Sequence, residues 1–404
     1  MRAGSDFTRD RPTVLSYGTV AAYAFWLYAF GPALALLRTE LHFSYTVLGL
    51  YSALWSGGAA VVGAGYAVAG RRWSRPALLW VSAVGTTIGA GLFALTHTVA
   101  LTLLGAALMG FAGCTLLTCT QAILSDRHGG QRDRALTEAN VGAAACAVLA
   151  PLILGSIQAT PAGWRAGLAL PALLLVGLYL RYRHEPLPSS PAAAPTGRRS
   201  RLSRSAWLLA TLVALGIAVE FCVIYFGAEL LTATGLPTAT AATAMSGFYL
   251  GILAGRIGGA LLTRRPGRTG RLLWVSLAVT MAGFLVFWLA GLPALAVIGL
   301  FICGLGVANL YPLSLALTLA AAPGHGDTAN ARTQLLGGVL AVAAPYLLGS
   351  LADHLGLRAA FTVEPILIGL SALLLLVTRL GIASKARPSA SSAGPERSTA
   401  ELRD

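Results

Sequence analysis

The stretch LGIAVEFCVIYFG, residues 215–227, holds one carboxylate, Glu220, in an otherwise almost wholly apolar run. A charged side chain at bilayer depth costs about 2.5–3.5 kcal/mol on insertion scales, and such groups mark ion, proton or substrate paths by default. A carboxyl in that position gains or loses a proton as its surroundings change, which is the chemistry of coupling a solute to protons. Arg256, in LAGRIGG, is the one basic residue deep in apolar sequence, and it reads as a structural partner first and a site residue second. Three further sets supply the aromatic and neutral hydrogen-bonding groups that suit an amphipathic organic ligand. They are Tyr23, Trp26 and Phe30 along one helical face, then Thr115, Thr118 and Gln121, then Asn309, Tyr311 and Pro312. Thr and Asn equally tie membrane helices together, and a Tyr-Pro step equally shapes a helix. Glu138 lies four residues after Arg134, the spacing of an ion pair on one helical face.

These residues need helices to carry them across a membrane. The chain has 404 residues, 56% hydrophobic and 11% charged, where soluble domains carry roughly 25% charged residues. Twelve apolar stretches are long enough to cross about 30 Å of hydrocarbon at 1.5 Å per residue. They lie near 13–36, 45–69, 77–96, 98–124, 135–158, 164–182, 206–231, 239–263, 271–290, 292–321, 330–352 and 359–380. The expected fold is therefore an all-α membrane protein. The leading MRAGSDFTRDRP lacks the apolar core of a cleavable signal peptide.

The net charge of +14 does not signal nucleic acid. Of the 29 Lys and Arg residues, all but Arg38, Arg165, Arg256 and Arg358 fall in the tails and alternate loops. That bias is the positive-inside rule, and it places both termini in the cytoplasm. The five cysteines fall inside spans without metal-ligand or redox spacing, so they read as small packing residues. No Walker-type phosphate loop is present, no metal-ligand cluster and no nucleophile–base pair, so ATP, cofactors and enzyme chemistry are not expected.

A shift of 194 residues lays the second half on the first. LLWVS at 78–82 recurs at 272–276, and AVLAPLILGSI at 147–157 becomes AVAAPYLLGSL at 341–351. Pro151 pairs with Pro345 and Gly155 with Gly349. Each half has an even number of spans, so the two are parallel repeats related by an axis along the membrane normal. The expected layout is a six-helix bundle over 1–184, a Pro- and Arg-rich cytoplasmic linker over 185–204, a second bundle over 205–382 and a disordered tail over 383–404.

Between the second and third spans the sequence reads GYAVAGRRWSR, with Gly65, Arg71 and Arg72; the repeat copy reads GALLTRRPGR, with Gly259, Arg264 and Arg265. With GWR at 163–165 and GSLADHLGLRAAF at 349–361, these resemble the major facilitator superfamily over nearly the whole chain. Ala69 and Thr263 stand where that family has an acidic residue. The resemblance implies two halves rocking about a midplane site, with helices one, four, seven and ten lining the cavity and three, six, nine and twelve facing lipid. It assigns Arg71, Arg72 and Arg264 to gating, and Pro151 with Gly155 resembles the helix-five motif of the family's antiporters. Glu138 corresponds to Arg332 in the repeat, so a Glu138–Arg332 contact is expected to close the cytoplasmic side.

The function that follows is a proton-coupled secondary transporter of a small organic solute in a bacterial inner membrane, with export favoured and a monomer expected. Its partners are the solute, protons and the lipid bilayer. The alternatives are uniport or symport uptake of a sugar-like or carboxylate solute, and a membrane sensor without flux.

Overall fold

The computed structural model describes residues 7–188, 202–263 and 267–385. Fifteen helices and one single-turn 3-10 helix, at 129–131, account for nearly all of them. The first half contains α1 (Arg11–Leu41), α2 (Tyr45–Arg72), α3 (Arg75–Leu95), α4 (Val99–His128), α5 (Arg132–Gln158), α6 (Gly163–Gly167) and α7 (Ala169–Tyr182). The second contains α8 (Arg204–Thr232), α9 (Thr238–Leu262), α10 (Thr269–Leu289), α11 (Pro293–Val307), α12 (Leu310–Ala320), α13 (Gly326–Leu355), α14 (Leu357–Ala360) and α15 (Val363–Lys385). Eleven stretches among the described residues are long and apolar enough to cross a membrane, and one of them, Val99–Gln158, includes both α4 and α5.

Short polar segments start and stop these helices. Asp10 caps α1 by accepting from the Thr13 backbone N–H at 3.1 Å, with Pro12 in the first turn. Burial opposes ionisation of Asp10, but its bonds from Thr13 and Arg127 prevail and hold its carboxyl below the usual carboxylate range. Ser44, Ser74 and Ser203 cap α2, α3 and α8 in the same way. The Asn309 break between α11 and α12 precedes Pro312, whose missing N–H leaves the carbonyl four residues back without its helical donor. The outward faces of α3, α7, α10 and α15 carry large exposed apolar residues, among them Val84, Ile88, Leu173, Leu180, Leu289 and Ile366, as lipid-facing helices must.

The 194-residue repeat is visible in how the halves meet. Helix α5 packs on α9, and α13 packs on α2. In the first seam a Cβ on Gly155 would stand 2.8 Å from Ala239 O; in the second a Cβ on Gly349 would stand 2.2 Å from Tyr45 O. Ala239 and Tyr45 are themselves repeat partners, so one glycine contact, used twice, joins the two halves. Only a residue without a side chain lets backbones approach this closely. The buried Pro151 and Pro345 each lie four residues before these glycines, inside helices that continue past them.

Both seams lie toward one end of the bundle, the far end, where α1 finishes. At the near end, where α1 begins, the two halves stand apart around an open cavity.

Candidate transport cavity and its gates

The far end is held shut across the halves by polar contacts. Arg38 of α1 donates to Glu229 of α8 at 3.2 Å, and its guanidinium lies 3.8 Å over the Tyr45 ring. Asp353 of α13 accepts from the backbone N–H groups of Tyr45 and Thr46, each at 2.8 Å, capping the first turn of α2 from the opposite half. Beside them, within the first half, Glu40 accepts from Arg165 at 2.5 Å and from the Trp164 indole at 2.7 Å.

The near-end ion pairs found among the described residues stay within the first half. Glu138 binds Arg9 at 2.8 Å, Arg134 at 3.3 Å and the Tyr17 hydroxyl at 3.1 Å. Asp10 binds Arg127, and Arg75 binds Asp126. The Arg134–Glu138 pair therefore forms as its spacing predicts. The expected Glu138–Arg332 contact is one that closes the near end, and with that end open the two residues stand apart: α5 packs on α9, α13 packs on α2, and Glu138 is held by Arg9, Arg134 and Tyr17. Arg332 instead lines the cavity.

That cavity measures about 750 Å³. Its wall comprises Tyr23 and Leu27 of α1, Trp55 to Gly63 of α2, Cys114 of α4, Ile217 and Phe221 of α8, and Ala331 to Ala341 of α13. Helices α2 and α13 thus contribute most of the lining, where the resemblance points to helices one, four, seven and ten. The cause is the seam: α2 and α13 meet closely where Gly49 faces Pro345 and Gly349 faces Tyr45, loosen to ordinary contact at Gly57 with Val342 and Gly338 with Ala60, and line the cavity with the small residues of that looser stretch.

The aromatic set of α1 divides. Tyr23 lines the cavity, with its hydroxyl 3.4 Å from Cys114 Sγ. Trp26 is fully buried and donates its indole N–H to Leu168 O at 2.9 Å, so it belongs to the first half's core. Three residues of helix rotate a side chain by about 60° from the starting face, enough to move Trp26 off the cavity. Phe30 is also buried, its ring 4.3 Å from Trp55 and 6.0 Å from Tyr225.

Glu220 is half-buried at mid-length in α8, between the wall residues Ile217 and Phe221. Its titratable neighbours are Arg256 and Tyr249 on α9 and Tyr28 on α1. No nitrogen of a basic side chain lies within 4 Å of it among the described residues, so Arg256, which is exposed, is a neighbour and not a direct partner. Tyr28 and Tyr249 pack edge to face, 5.0 Å between centroids, beside this carboxyl.

The remaining candidates sit apart from the cavity wall. The Thr118 hydroxyl is bonded to Cys114 O and that of Thr115 to Phe111 O, while Thr115 opens on a separate apolar crevice of about 460 Å³ between α2, α3 and α4. Gln121 is exposed on α4. Asn309 donates to Gly255 O at 2.9 Å and so ties the α11–α12 break to α9. Tyr311 lies on α12, beside the cavity helix α13 but outside the cavity lining. Arg72 is exposed at the end of α2, Arg71 is placed only as part of that helix, and Arg264 lies outside the described residues. Arg38, Glu229 and Asp353 escaped the sequence reading because each sits near a span end, where a charge looks like ordinary solvated surface.

Comparison with known proteins accords with this architecture. No curated protein matches the chain. A bacterial homologue of the human lysosomal transporter Spinster, inward-facing and unoccupied, is similar at a TM-score of 0.74 and 14% identity over 96% of this chain and 100% of that one. A variant of the peptide transporter POT in complex with sulfate aligns at 0.72 and 16% identity over 94% and 96%. The nucleoside transporter NupG aligns at 0.68 and 16% identity over 94% and 99%. At such identities the likeness is one of fold. The sequence profile of the Major Facilitator Superfamily matches residues 15–339, most of the chain, and the chain belongs to that family.

Proposed function

We propose that this protein is a proton-coupled secondary transporter of a small organic solute, with Glu220 as the group that carries the proton. Twelve crossings follow if α6 with α7, α11 with α12, and α14 with α15 each make one, and the concentration of Arg at the near end supports a cytoplasmic location for it. The cavity then opens inward, and alternating access requires the near end to close as the Arg38–Glu229 and Asp353 contacts part.

The observation that carries the reading is Glu220 itself, a mid-bundle carboxyl flanked by cavity residues and lacking an ion pair among the described residues. A permanently paired carboxylate would be locked in its charged form; an unpaired one beside a cavity that changes sides exchanges protons with each side in turn. The Pro151–Gly155 pattern supports exchange, with solute leaving as protons enter.

Purified protein in proteoliposomes tests this with a radiolabelled panel of carboxylates, sugars and lipophilic cations. With the membrane potential collapsed, a gradient of about one pH unit and one proton per solute sustain roughly a tenfold solute gradient. Glu220→Gln is expected to abolish that accumulation while solute still equilibrates. Accumulation by Glu220→Gln with unchanged pH dependence would sink the assignment.

A further inference from the structure

Taking the cavity as the solute path proposed above, we infer that the solute is an amphipathic organic anion, its acid group on Arg332 and its apolar body against Tyr23, Trp55 and Phe221. Among the described residues the wall carries one formal charge, the exposed Arg332 guanidinium. Two of its other polar groups already have partners: the Ser56 hydroxyl lies 3.3 Å from the Tyr225 hydroxyl, and the Tyr23 hydroxyl meets Cys114, while Gln334 is exposed beside Arg332 on α13. Arg332 has neither an ion pair nor a hydrogen bond among the described residues, and the carboxylate expected to meet it, Glu138, is held by Arg9, Arg134 and Tyr17.

The dimensions suit such a molecule. Ala331 and Ala341 bound the α13 wall, which is about 15 Å of helix at 1.5 Å per residue. Trp55 and Gly63 bound the α2 wall over about 12 Å. A volume of about 750 Å³ lies in the range of sites for drug-sized ligands. Low-dielectric walls strengthen the field of a charge at their edge, so with Glu220 protonated the exposed Arg332 sets the sign that the cavity selects. A lipophilic cation would meet Arg332 as a like charge, and a sugar would find few donors or acceptors along the largely apolar α1, α2 and α8 walls to replace its water. An acid on an apolar body satisfies both ends of the cavity.

Binding to the full-length protein in detergent tests this without requiring flux, using three probes of one shape: 4-phenylbutyrate, its neutral amide and 4-phenylbutylamine. The expected result is binding of the carboxylate at least tenfold tighter than the amide, with the amine weakest. Arg332→Gln should lose that tenfold for the carboxylate and leave the amide unchanged, while Arg332→Lys keeps most of the preference and shows that the site survives substitution. Equal binding of all three probes, preference for the amine, no binding by any of them, or undiminished carboxylate binding by Arg332→Gln overturns the inference. Because Glu220 is untouched in every variant, anion selectivity without proton-driven accumulation would refute the coupling reading and leave this one standing.

Discussion

Arg38→Ala is expected to open the far end of the bundle. The guanidinium lies between Glu229 and the Tyr45 ring, and the Glu229 side chain keeps only 7% of its surface exposed, against 26% for Arg38. Removing one partner of a buried ion pair leaves the other charge uncompensated, at about 3–5 kcal/mol. The partial exposure of Arg38 favours the low end, about 3 kcal/mol, which is more than a hundredfold in a two-state equilibrium. That cost falls on the far-end-closed state alone, because opening returns Glu229 to water, so the substitution shifts the conformational balance without unfolding the chain. Leu231→Cys, fully buried in α8, reports the shift when the five native cysteines are first replaced by alanine. Its labelling by a membrane-impermeant maleimide should accelerate in Arg38→Ala and slow again in the charge swap Arg38→Glu with Glu229→Arg. Unchanged labelling in Arg38→Ala would show that the pair does not hold the gate.

Trp26→Ala has the second large effect, and it falls on stability. A fully buried indole that packs in the first half and donates to Leu168 O cannot be removed without leaving a cavity and an unpaired carbonyl. Such truncations cost about 3–5 kcal/mol. Tyr23→Phe, three residues earlier on the cavity wall, removes one hydroxyl and is expected to change stability by under about 1.5 kcal/mol. Thermal unfolding of both variants in detergent, scored against wild type, separates the roles. If Trp26→Ala melts with wild type but loses ligand affinity, Trp26 is a site residue after all.

The contrast between those neighbours shows what the sequence makes legible. Spans, repeat and family are written in composition and in a fixed offset, because lipid demands long apolar helices and duplication preserves their glycines. The Gly155 and Gly349 pair is an example: its place in the repeat was visible, and the structure adds what the repeat serves, two equivalent seams. Site residues are harder to see. A helical face predicts that Tyr23, Trp26 and Phe30 point roughly together, yet a 60° step separates cavity from core. Which helices meet was also hidden, since the repeat pairs α5 with α13 in sequence while the pseudo-two-fold pairs α5 with α9 in space. Repeat arithmetic aligns Glu138 with Arg332, but their partners in this open state, Arg9, Arg134 and Tyr17 for the one and the cavity for the other, come from packing. Arg38 and Glu229 are individually unremarkable charges near span ends, 191 residues apart, and only packing reveals them as a pair.

The central claim is that protonation of Glu220 moves the protein between states open at opposite ends. Double electron–electron resonance on two spin-labelled pairs in lipid nanodiscs tests it without any solute. Exposed Asp133 and Asn330 report the near end, and exposed His97 and Leu292 the far end. Passing from alkaline to acidic buffer should shift both distance distributions in opposite senses, one lengthening as the other shortens, and Glu220→Gln should hold both at their acidic values. Distances that ignore pH in the wild-type protein, or that shift equally in Glu220→Gln, would contradict the account.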